Sequence, residues 1–508
     1  MILHIKRKYR FTRNIIIKSW EIDAFKLTLS SYLDIILGCA ERRTTVMLIR
    51  FAVSNFLSFD GKQELSLEAG KTRKYSKRIY TNRRLRLVKC EALFGANGSG
   101  KSNLVKAMRF FQSVVRSGFP RGFSNSYYRL KDENRLLPTE FEIELICGDK
   151  RLCFGFDSVL NTGSVLTEWL YETTPSGLKK VLYERNVTEE SFTIGNFFKG
   201  KEAIAKLTNY GEDSAGDHEN LFLTIINKSK GKMYADYPEL QILNSVYIWI
   251  VNKLTISFPE DMLKGYPYFK DSNLEEIADI LNALGTGISD LRIVEVPKEV
   301  VKSKIPEDLY NDIISDLEKA NAQMKKEGKN IFPSIMARAA KEFYTFEIDA
   351  DDVVTIKTIE FKHEAPEVYF NLNEESDGTA RILDLIEILF KISNDNIYVI
   401  DEIDRCLHPA MTTKIIKLFL QMAEKRNTQL IITTHESRLL KDDLLRNDEI
   451  SFMLKTKAGS TIIKSLDQYH LRADKKVYEA LFDGTISAIP IFNEKKLDQI
   501  VEQNSTRS

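Results

Sequence analysis

The stretch that decides the fold is Gly95-Ala96-Asn97-Gly98-Ser99-Gly100-Lys101-Ser102. It matches the pattern G-x-x-x-x-G-K-[ST], whose glycines let consecutive backbone N–H groups turn inward around phosphate oxygens. A strand-like segment ending at Phe94 precedes it, and apolar residues recur at helical spacing from Leu104 to Val115. This order of strand, turn and helix predicts a phosphate-binding loop, in which Lys101 reaches the outer phosphates and Ser102 ligates Mg²⁺.

A second stretch, Ile397-Tyr398-Val399-Ile400-Asp401-Glu402, is an apolar strand that ends in two acids. The carboxyl end of a parallel strand is where an open α/β sheet binds its ligands. We therefore expect Asp401 to hold Mg²⁺, and Glu402 to orient or deprotonate the attacking water. Taken alone, this strand end would be interpreted as a solvated acidic turn, and the phosphate-binding loop is what favours the functional interpretation.

Two further features stand at fixed separations from Asp401. Ser376, in the segment Glu375–Thr379, lies 25 residues before it and precedes a predicted helix over Ala380–Ile392. That separation leaves room for one helix, a turn and a strand. His435 follows Asp401 by 34 residues, at the end of another apolar strand. On their own, the first feature is a capped helix start and the second is a structural histidine.

The complete series of motifs resembles a known class. GANGSGKS, then SDG before a helix, then IYVIDEID, then TTH is similar to the ABC-type ATPase heads of SMC and RecF proteins. The segments VSNFLSF (53–59), ESDGTARILDL (375–385) and DEIDRCLHP (401–409) look closest to AAA-type ATP-binding proteins related to the OLD family, including RloA-like ATPases of prokaryotic defence loci. The resemblance covers roughly residues 47–491 and is weakest from 190 to 345.

The resemblance implies an ATP-hydrolysing enzyme that uses ATP and Mg²⁺ and works as a nucleotide-dependent homodimer. By it, Ser376 and Gly378 belong to the signature motif, which in such proteins contacts the nucleotide bound to the other protomer. His435 matches the switch histidine that senses the γ-phosphate, and it completes a catalytic set with Lys101 and Glu402.

Two motifs of such heads are matched only in part. Asp404 falls in the segment called the D-loop, but Arg405-Cys406-Leu407-His408 departs from the SMC version. No convincing Q-loop glutamine is found, because Gln112 lies on the helix after the phosphate-binding loop. The pair Thr139-Glu140, at the next β segment, serves only as a placeholder.

The predicted fold class is α/β: an ABC/SMC-like ATPase head, with a P-loop NTPase mixed sheet and flanking helices, a β-rich arm and an inserted helical subdomain. The 508 residues have room for about three domain-sized units. We expect five regions, of which the first, 1–46, is a basic N-terminal extension or over-long start. An ATPase lobe with the phosphate-binding loop follows at 47–137, then the β-rich arm at 138–215 and the helical insertion at 216–345. A second ATPase lobe at 346–508 carries the signature, the acidic strand and the switch histidine.

The composition excludes several classes of protein. Lys and Arg total 73 against 72 Asp and Glu, so no global field selects for nucleic acid, membrane or acidic substrate. Five scattered cysteines lack the pairs of a zinc site and the density of a disulfide scaffold, and we interpret Cys147 and Cys153 as core thiols. No apolar run near the N-terminus approaches the roughly 20 residues that span a bilayer. We therefore expect a cytoplasmic protein without a membrane partner.

One local charge feature stays open. Nine Lys or Arg and no acid lie between Lys71 and Lys89, interleaved with Tyr75 and Tyr80. Such a stretch can contact a phosphate backbone and stack bases, although a charge run is usually a solvated loop. DNA or RNA therefore remains a candidate partner. His363 and His408 receive no role.

Three function classes are compatible with these motifs. The first is an ATP-hydrolysing sensor or switch of an antiviral defence system that acts with a separate effector from a neighbouring gene. Only 73 residues follow His435, which is too few for the Toprim nuclease of OLD-type proteins. The second is a RecF/SMC-like DNA-binding ATPase of repair or recombination, which a positive surface across the dimer would mark. The third, a transporter's nucleotide-binding subunit, is disfavoured by the large insertion and the SDG motif.

Overall fold

The computed structural model describes residues 45–174, 177–228, 231–259, 274–326, 328, 332–339, 342–364, 367–390, 395–441, 444–469, 477–482, 486 and 496–499. The chain divides into two compact units. The larger comprises residues 43–261 and 388–508, and the smaller is described within residues 274–387. Nearly all of the predicted N-terminal extension lies outside the described residues, which begin at residue 45.

The larger unit contains a six-stranded sheet made of β5 (Cys90–Phe94), β11 (Leu254–Ser257), β17 (Ile397–Ile400), β18 (Gln429–Thr433), β19 (Ile450–Lys455) and β20 (Thr461–Ser465). The strand order is β11-β17-β18-β5-β19-β20. Neighbouring strands from β11 to β19 are parallel, and β20 pairs antiparallel with β19. Every residue of β5, β17 and β18 is buried, as is typical of parallel strands covered on both faces.

Helices connect these strands. The helices of the larger unit are α1 (Lys101–Ser117), α2 (Lys201–Asp213), α3 (Phe222–Asn227), α4 (Gly231–Asp236), α5 (Gln241–Ile248), a π-helix (Trp249–Lys253), α11 (Pro409–Ala423) and α12 (Val477–Phe482), with short 3-10 turns at Ser76–Arg78, Asp132–Arg135, Pro238–Leu240, Ser437–Leu440, Asn447–Glu449 and Leu466–Gln468. Helix α1 follows β5 through the phosphate-binding loop, and α11 connects β17 to the parallel β18. These connections place the loop and the acids at the carboxyl ends of β5 and β17, the two strands on either side of β18.

A second, antiparallel sheet is made of β1 (Val46–Ser54), β2 (Gln63–Ser66), β6 (Thr139–Cys147), β7 (Lys150–Val159), β8 (Ser164–Thr173), β9 (Lys179–Asn186) and β10 (Ser191–Ile194), in the order β10-β9-β8-β7-β6-β1-β2. A small hairpin, β3 (Tyr80–Asn82) with β4 (Leu85–Leu87), lies outside it. Phe111 of α1 packs on one face, with its ring centroid 5.9 Å from those of Phe51, Phe154 and Phe156.

Gln429 joins the two sheets of the larger unit. Its buried side-chain amide accepts a hydrogen bond from the Leu48 N–H at 2.8 Å and donates one to the Leu48 carbonyl at 2.9 Å. The side chain thus replaces a backbone partner for β1, and this satisfies two buried polar groups where the sheets meet.

The smaller unit has its own sheet, made of β12 (Ile288–Glu295), β13 (Ser334–Ala339), β14 (Glu342–Ile348), β15 (Val354–His363) and β16 (Tyr369–Asn371). Its order is β12-β15-β14-β13, with β16 paired to β15. The helices are α6 (Leu274–Ala283), α7 (Lys298–Lys304), α8 (Glu307–Lys326) and α9 (Asp377–Leu385), and α10 (Glu387–Phe390) follows at the unit boundary. Ile313 and Leu317 of α8 pack with Phe346 and Ile356 in a buried apolar core.

The structure differs from the sequence expectation within 216–345. Most of its described residues are helical, but it also contains β11, β12, β13 and the start of β14, which the sequence did not indicate. Strand β11 even belongs to the parallel sheet of the larger unit, beside β17. Its sequence, Leu-Thr-Ile-Ser, alternates apolar and polar residues over four positions only, and it directly follows a helical segment, so the pattern was too short to be recognised as a strand. The predicted helix over 380–392 is two pieces, α9 and α10. No helix among the described residues is long and apolar enough to cross a membrane.

Candidate nucleotide site

The phosphate-binding loop is a tight turn between β5 and α1. Gly98 and Gly100 have φ angles of 76° and 109°, in the left-handed region that favours glycine. A side chain at Gly95 would lie 2.5 Å from the Met453 carbonyl oxygen, so this position also needs glycine. Gly100 is the N-cap of α1, and among the described residues no side chain caps this helix start. The Asn103 N–H donates to the Gly100 carbonyl at 3.0 Å, and the N–H groups that precede it at this helix start are the ones that an anion would meet.

Lys101 is folded back onto its own loop. The residue is 5% exposed, and its ammonium donates hydrogen bonds to the carbonyl oxygens of Gly95 at 2.8 Å and Ala96 at 3.3 Å. Burial lowers the pKa of Lys101 to about 8, while the carboxylates of Asp401, Glu402 and Asp404 oppose that effect. The side chain is still largely charged at pH 7, so it can exchange these carbonyls for phosphate oxygens.

One hydroxyl organises the two acids that follow β17. The Thr433 Oγ1 donates to the Asp401 carboxylate at 2.5 Å and accepts a hydrogen bond from the Glu402 N–H at 2.8 Å. Asp401 is 2% exposed, and its own N–H donates to the Ser257 carbonyl of β11 at 2.9 Å. Glu402 has a φ of 47°, so the backbone turns sharply between the two acids. The neighbouring strands β11 and β18 therefore fix the positions of both residues.

His435 lies at the exposed end of β18 and is held through its backbone. Its N–H is 3.3 and 3.4 Å from the two carboxylate oxygens of Asp404, which gives this D-loop residue a role that the sequence left open. Partial burial and the nearby Lys101 ammonium lower the pKa of His435, against the opposing effect of the carboxylates of Asp401, Glu402 and Asp404. The imidazole is therefore mainly neutral at pH 7.

The phosphate-binding loop, Lys101, both acids and His435 thus converge at the carboxyl ends of the adjacent strands β5, β18 and β17. Over residues 92–441, the sequence matches the family described as "AAA domain, putative AbiEii toxin, Type IV TA system". The chain belongs to this AAA domain family. Its matched segment begins on β5 and ends beyond His435, so it contains every candidate site residue from the loop's lysine to the histidine. No curated protein matches the sequence.

Three solved SMC head structures resemble this AAA-family chain at low identity. An SMC head bound to the C-winged helix domain of ScpA is 14% identical, with a TM-score of 0.36 and coverage of 83% of this chain and 98% of that chain. The SMC head domain from Thermotoga maritima is 13% identical, with a TM-score of 0.28 and coverage of 82% and 98%. A third head, bound to the C-terminal domain of ScpA derived from Pyrococcus furiosus, is 15% identical, with a TM-score of 0.31 and coverage of 83% and 97%. The strand order and the family confirm the predicted α/β class of P-loop ATPase heads.

The predicted signature residues of this AAA-family chain lie in the smaller unit. Ser376 is the N-cap of α9, where its Oγ accepts a hydrogen bond from the Thr379 N–H at 3.0 Å. Gly378 stands in the first turn of the same helix. His363, which received no role from sequence, lies 2.8 Å through Nε2 from the carboxylate of Glu375, next to the cap. The contact of this motif with a nucleotide of a second copy remains a prediction.

Gln112 and Thr139, for which the sequence offered no convincing Q-loop role, both hold backbone segments together. The amide of Gln112 donates to the carbonyl oxygens of Ile250 at 2.9 Å and Leu254 at 2.5 Å, so it ties α1 to the π-helix and β11. Thr139 begins β6 in the antiparallel sheet, where its hydroxyl donates to the Asn55 carbonyl at 2.8 Å. The strand beside β17 is β11, which the sequence did not reveal as a strand.

The sequence also missed Thr433, the residue that organises the acids. It was predicted only as the apolar end of a strand before His435. The signal that could have identified it is its position, because a hydroxyl at the carboxyl end of β18 faces the end of the parallel neighbour β17. The buried Ser257 on the other neighbour could not be found, since its strand was not recognised.

The nine cations of the basic stretch from Lys71 to Lys89 differ in burial, with two buried, five exposed, and Lys74 and Arg86 half-buried. Arg78 and Lys89 are buried and donate to backbone carbonyls, Arg78 to that of Leu444 at 2.8 Å. The exposed cations are Lys71, Arg73, Lys77, Arg83 and Arg84. Part of this charge run is therefore a structural anchor, and only the exposed group is available to a partner.

Proposed function

We propose that this chain binds and hydrolyses ATP, and that two copies close over the nucleotide as a switch. The observation that supports the proposal is the convergence of Lys101, Asp401, Glu402 and His435 beside an uncapped helix N-terminus at neighbouring strand ends. Phosphoryl transfer depends mainly on positioning and on stabilising charge, and this set of groups supplies both. Proteins of this class generally use Mg²⁺ with ATP.

The residues present fit these ligands. The Ser102 hydroxyl and the Asp401 carboxylate are the hard oxygen donors that Mg²⁺ prefers, and the Thr433 hydroxyl fixes one oxygen of Asp401. When bound, Mg²⁺ supplies positive charge beside the phosphates. Lys101 binds the outer phosphates, Glu402 orients the attacking water and accepts its proton, and neutral His435 donates or accepts a hydrogen bond at the γ-phosphate.

Replacement of Glu402 tests hydrolysis. Glu402→Gln should bind ATP as the wild type does and turn it over at least about 100-fold more slowly, because the amide keeps the shape but cannot accept a proton. Phosphate release and ATP affinity are the measurements, and light scattering should show a trapped nucleotide-bound dimer. Glu189→Gln, on an exposed turn of the arm, serves as the matched control. An unchanged turnover rate in Glu402→Gln would count against the assignment.

The shared site between two copies is tested by mixing inactive variants. Lys101→Ala removes the phosphate-binding lysine, and Ser376→Arg places a bulky cation at the N-cap of α9. A heterodimer would hold one intact site, formed by the loop of the second variant and the signature motif of the first. Some ATPase activity should therefore return in the mixture. Mixtures that stay inactive although labelled subunits demonstrably exchange would exclude the shared site.

We propose further that the switch serves an antiviral defence system in the cytoplasm of a prokaryote, with a separate effector from a neighbouring gene. The family description, which names a toxin of a type IV toxin–antitoxin system, and the OLD- and RloA-like segments support this role. Cells that carry the intact locus should survive phage challenge, whereas cells with Lys101→Ala should not. Equal survival of both strains would argue against a defence role for the ATPase.

A second candidate is a RecF/SMC-like DNA-binding ATPase of repair or recombination. The exposed cations of the basic stretch favour it, because an anchored loop with Lys71, Arg73 and Lys77 at its surface can bind phosphate groups. Replacing these three residues by serine should weaken binding to a DNA duplex and reduce the dependence of its affinity on salt concentration. Duplex affinity that is unchanged by the triple replacement would leave the switch as the better interpretation.

A further inference from the structure

Three side chains from separate segments form a hydrogen-bonded chain that ends on the phosphate-binding loop. Asn103 of α1 donates through Nδ2 to Ser58 Oγ at 2.8 Å, and Ser58 Oγ is 2.8 Å from Thr461 Oγ1. Thr461, the first residue of β20, is also 2.8 Å through Oγ1 from the Ser99 carbonyl oxygen. Ser58 and Thr461 are 7% and 1% exposed, so the chain is shielded from water.

The donors in this chain follow from counting protons. A carbonyl oxygen only accepts, so the single hydroxyl proton of Thr461 must serve the Ser99 carbonyl. Thr461 is the donor to Ser58 Oγ as well, so its proton is shared between the Ser99 carbonyl and Ser58, and Ser58 also accepts a hydrogen bond from the Asn103 amide. Ser58 Oγ therefore accepts from both neighbours, and this contact holds the Thr461 side chain in place beside the loop.

Thr461 therefore fixes the peptide between Ser99 and Gly100. In a trans peptide the C=O and N–H groups point in opposite directions, so holding the Ser99 carbonyl aims the Gly100 N–H away from Thr461. The first-turn N–H groups of α1 are the ones that bind phosphate oxygens. A side chain at Gly100 would overlap Thr461 Oγ1, which shows how closely β20 approaches the loop.

The segment VSNFLSF brings Ser58 to this position. The Asn55 amide donates to the carbonyl oxygens of Asn134, Leu137 and Pro138, at 2.9, 3.0 and 3.3 Å. The Ser58 carbonyl in turn accepts a hydrogen bond from the Thr461 N–H at 2.7 Å. A turn that is fixed on both sides thus carries the central hydroxyl of the chain.

We propose that Thr461 is a positioning residue for nucleotide binding, which acts through the Ser99 carbonyl and is oriented by Ser58. The inference rests on the proposed function only in so far as the loop binds nucleotide. The Gly100 N–H would bind the nucleotide both before and during the reaction. If this N–H loses its orientation, the KM for ATP should rise and kcat should stay nearly unchanged.

The test compares four variants with the wild type in calorimetric titrations with Mg·ATP and Mg·ADP. Thr461→Val should weaken both nucleotides about tenfold, since a buried carbonyl loses its donor. Thr461→Ser, which keeps the hydroxyl, should stay within about threefold of the wild type, and Ser58→Ala should weaken binding about threefold. Thr456→Val, at the tip of the same hairpin, removes a hydroxyl that is paired with Ser460 and should have no effect.

Unchanged affinity in Thr461→Val, or a Thr461→Ser variant as weak as Thr461→Val, overturns the proposal. If Thr461→Val does not fold, Ser58→Ala decides the question alone, and normal affinity in that variant is the overturning result. If the wild type binds ATP without hydrolysing it, the proposed ATPase activity is contradicted, but the comparison of affinities among the Thr461 variants still holds. A fall in kcat at constant KM would also contradict the role given to Thr461.

Discussion

One lysine lies directly before β5 and another begins α1, and the two are alike in burial. Lys89 is 3% exposed and Lys101 is 5% exposed, each donates to two backbone carbonyls, and burial lowers the pKa of each to about 8. The two lysines lie at opposite kinds of helix end, Lys89 at a carboxyl end and Lys101 at an amino end. Lys89 lies 2.6 and 2.7 Å from the carbonyl oxygens of Ala423 and Arg426, where α11 ends. Lys101 is the first residue of α1.

The difference shows that burial and a shifted pKa do not by themselves identify a functional site. The negative end of α11 favours the Lys89 cation, and the helix carbonyls gain a donor, so the fold alone explains this residue. The positive end of α1 disfavours the Lys101 cation by about 0.3–1 kcal/mol, in addition to the effect of burial. The fold alone therefore does not explain a buried cation in this place.

The largest expected effect is on ATP affinity, which should depend on Lys101 and not on Lys89. Lys101→Ala should reduce ATP affinity at least about 100-fold, because the outer phosphates lose charge-assisted hydrogen bonds worth roughly 3 kcal/mol. The free energy of unfolding should stay within about 1 kcal/mol of the wild type, since the helix dipole no longer opposes a cation. Equilibrium binding and urea unfolding are the two measurements.

Lys89→Met is the matched control at the other end. It should lower the free energy of unfolding by about 2 kcal/mol, because two buried carbonyls lose their donor, and leave the ATP affinity of the folded protein unchanged. If Lys89→Met weakened ATP binding as strongly as Lys101→Ala, or if Lys101→Ala destabilised the fold by as much, the contrast between the two helix ends would be wrong.

The sequence predicted the residues whose chemistry requires particular types at particular spacings. The loop from Gly95 to Ser102, Asp401 with Glu402, and His435 all lie where the strand-end argument placed them. It could not predict contacts that depend on tertiary packing, such as the Thr433 hydroxyl between two acids or the Thr461 hydroxyl on the Ser99 carbonyl. Threonine at a strand end is common, so only the neighbouring strand shows its partner.

The amino-terminal end of the sheet should also differ from the nucleotide end in its response to pH. Burial raises the pKa of Glu449 to about 7, and burial raises the pKa of its neighbour Glu91 well above the ordinary value. Between about pH 4.5 and pH 7, Glu449 therefore keeps its proton in the folded protein but loses it in the unfolded chain. Stability from this group is fully present below about pH 4.5 and is lost as the pH rises to about 7, by up to about 3 kcal/mol.

Glu449→Gln isolates that contribution. The amide oxygen can still accept the hydrogen bond from the Arg446 N–H, 2.9 Å away in the wild type, but it does not titrate. The difference in free energy of unfolding between wild type and variant should therefore change in favour of the variant between about pH 4.5 and pH 7. At each pH in that range, wild type and variant should have the same ATP affinity. A constant difference would mean that Glu449 titrates normally.

The smallest effect tests the hydroxyl at the nucleotide end. Thr433→Val removes the donor to the Asp401 carboxylate and the acceptor of the Glu402 N–H, so both acids lose their alignment while keeping their charge. We expect kcat to fall about tenfold, in line with the net worth of one or two hydrogen bonds, and ATP affinity to change less than threefold. Thr433→Ser should restore most of the rate.

Thr412→Val on α11 is the control, because that buried hydroxyl has no hydrogen-bond partner among the described residues. Equal losses of kcat in Thr433→Val and Thr412→Val would show that packing, and not the alignment of the acids, sets the rate.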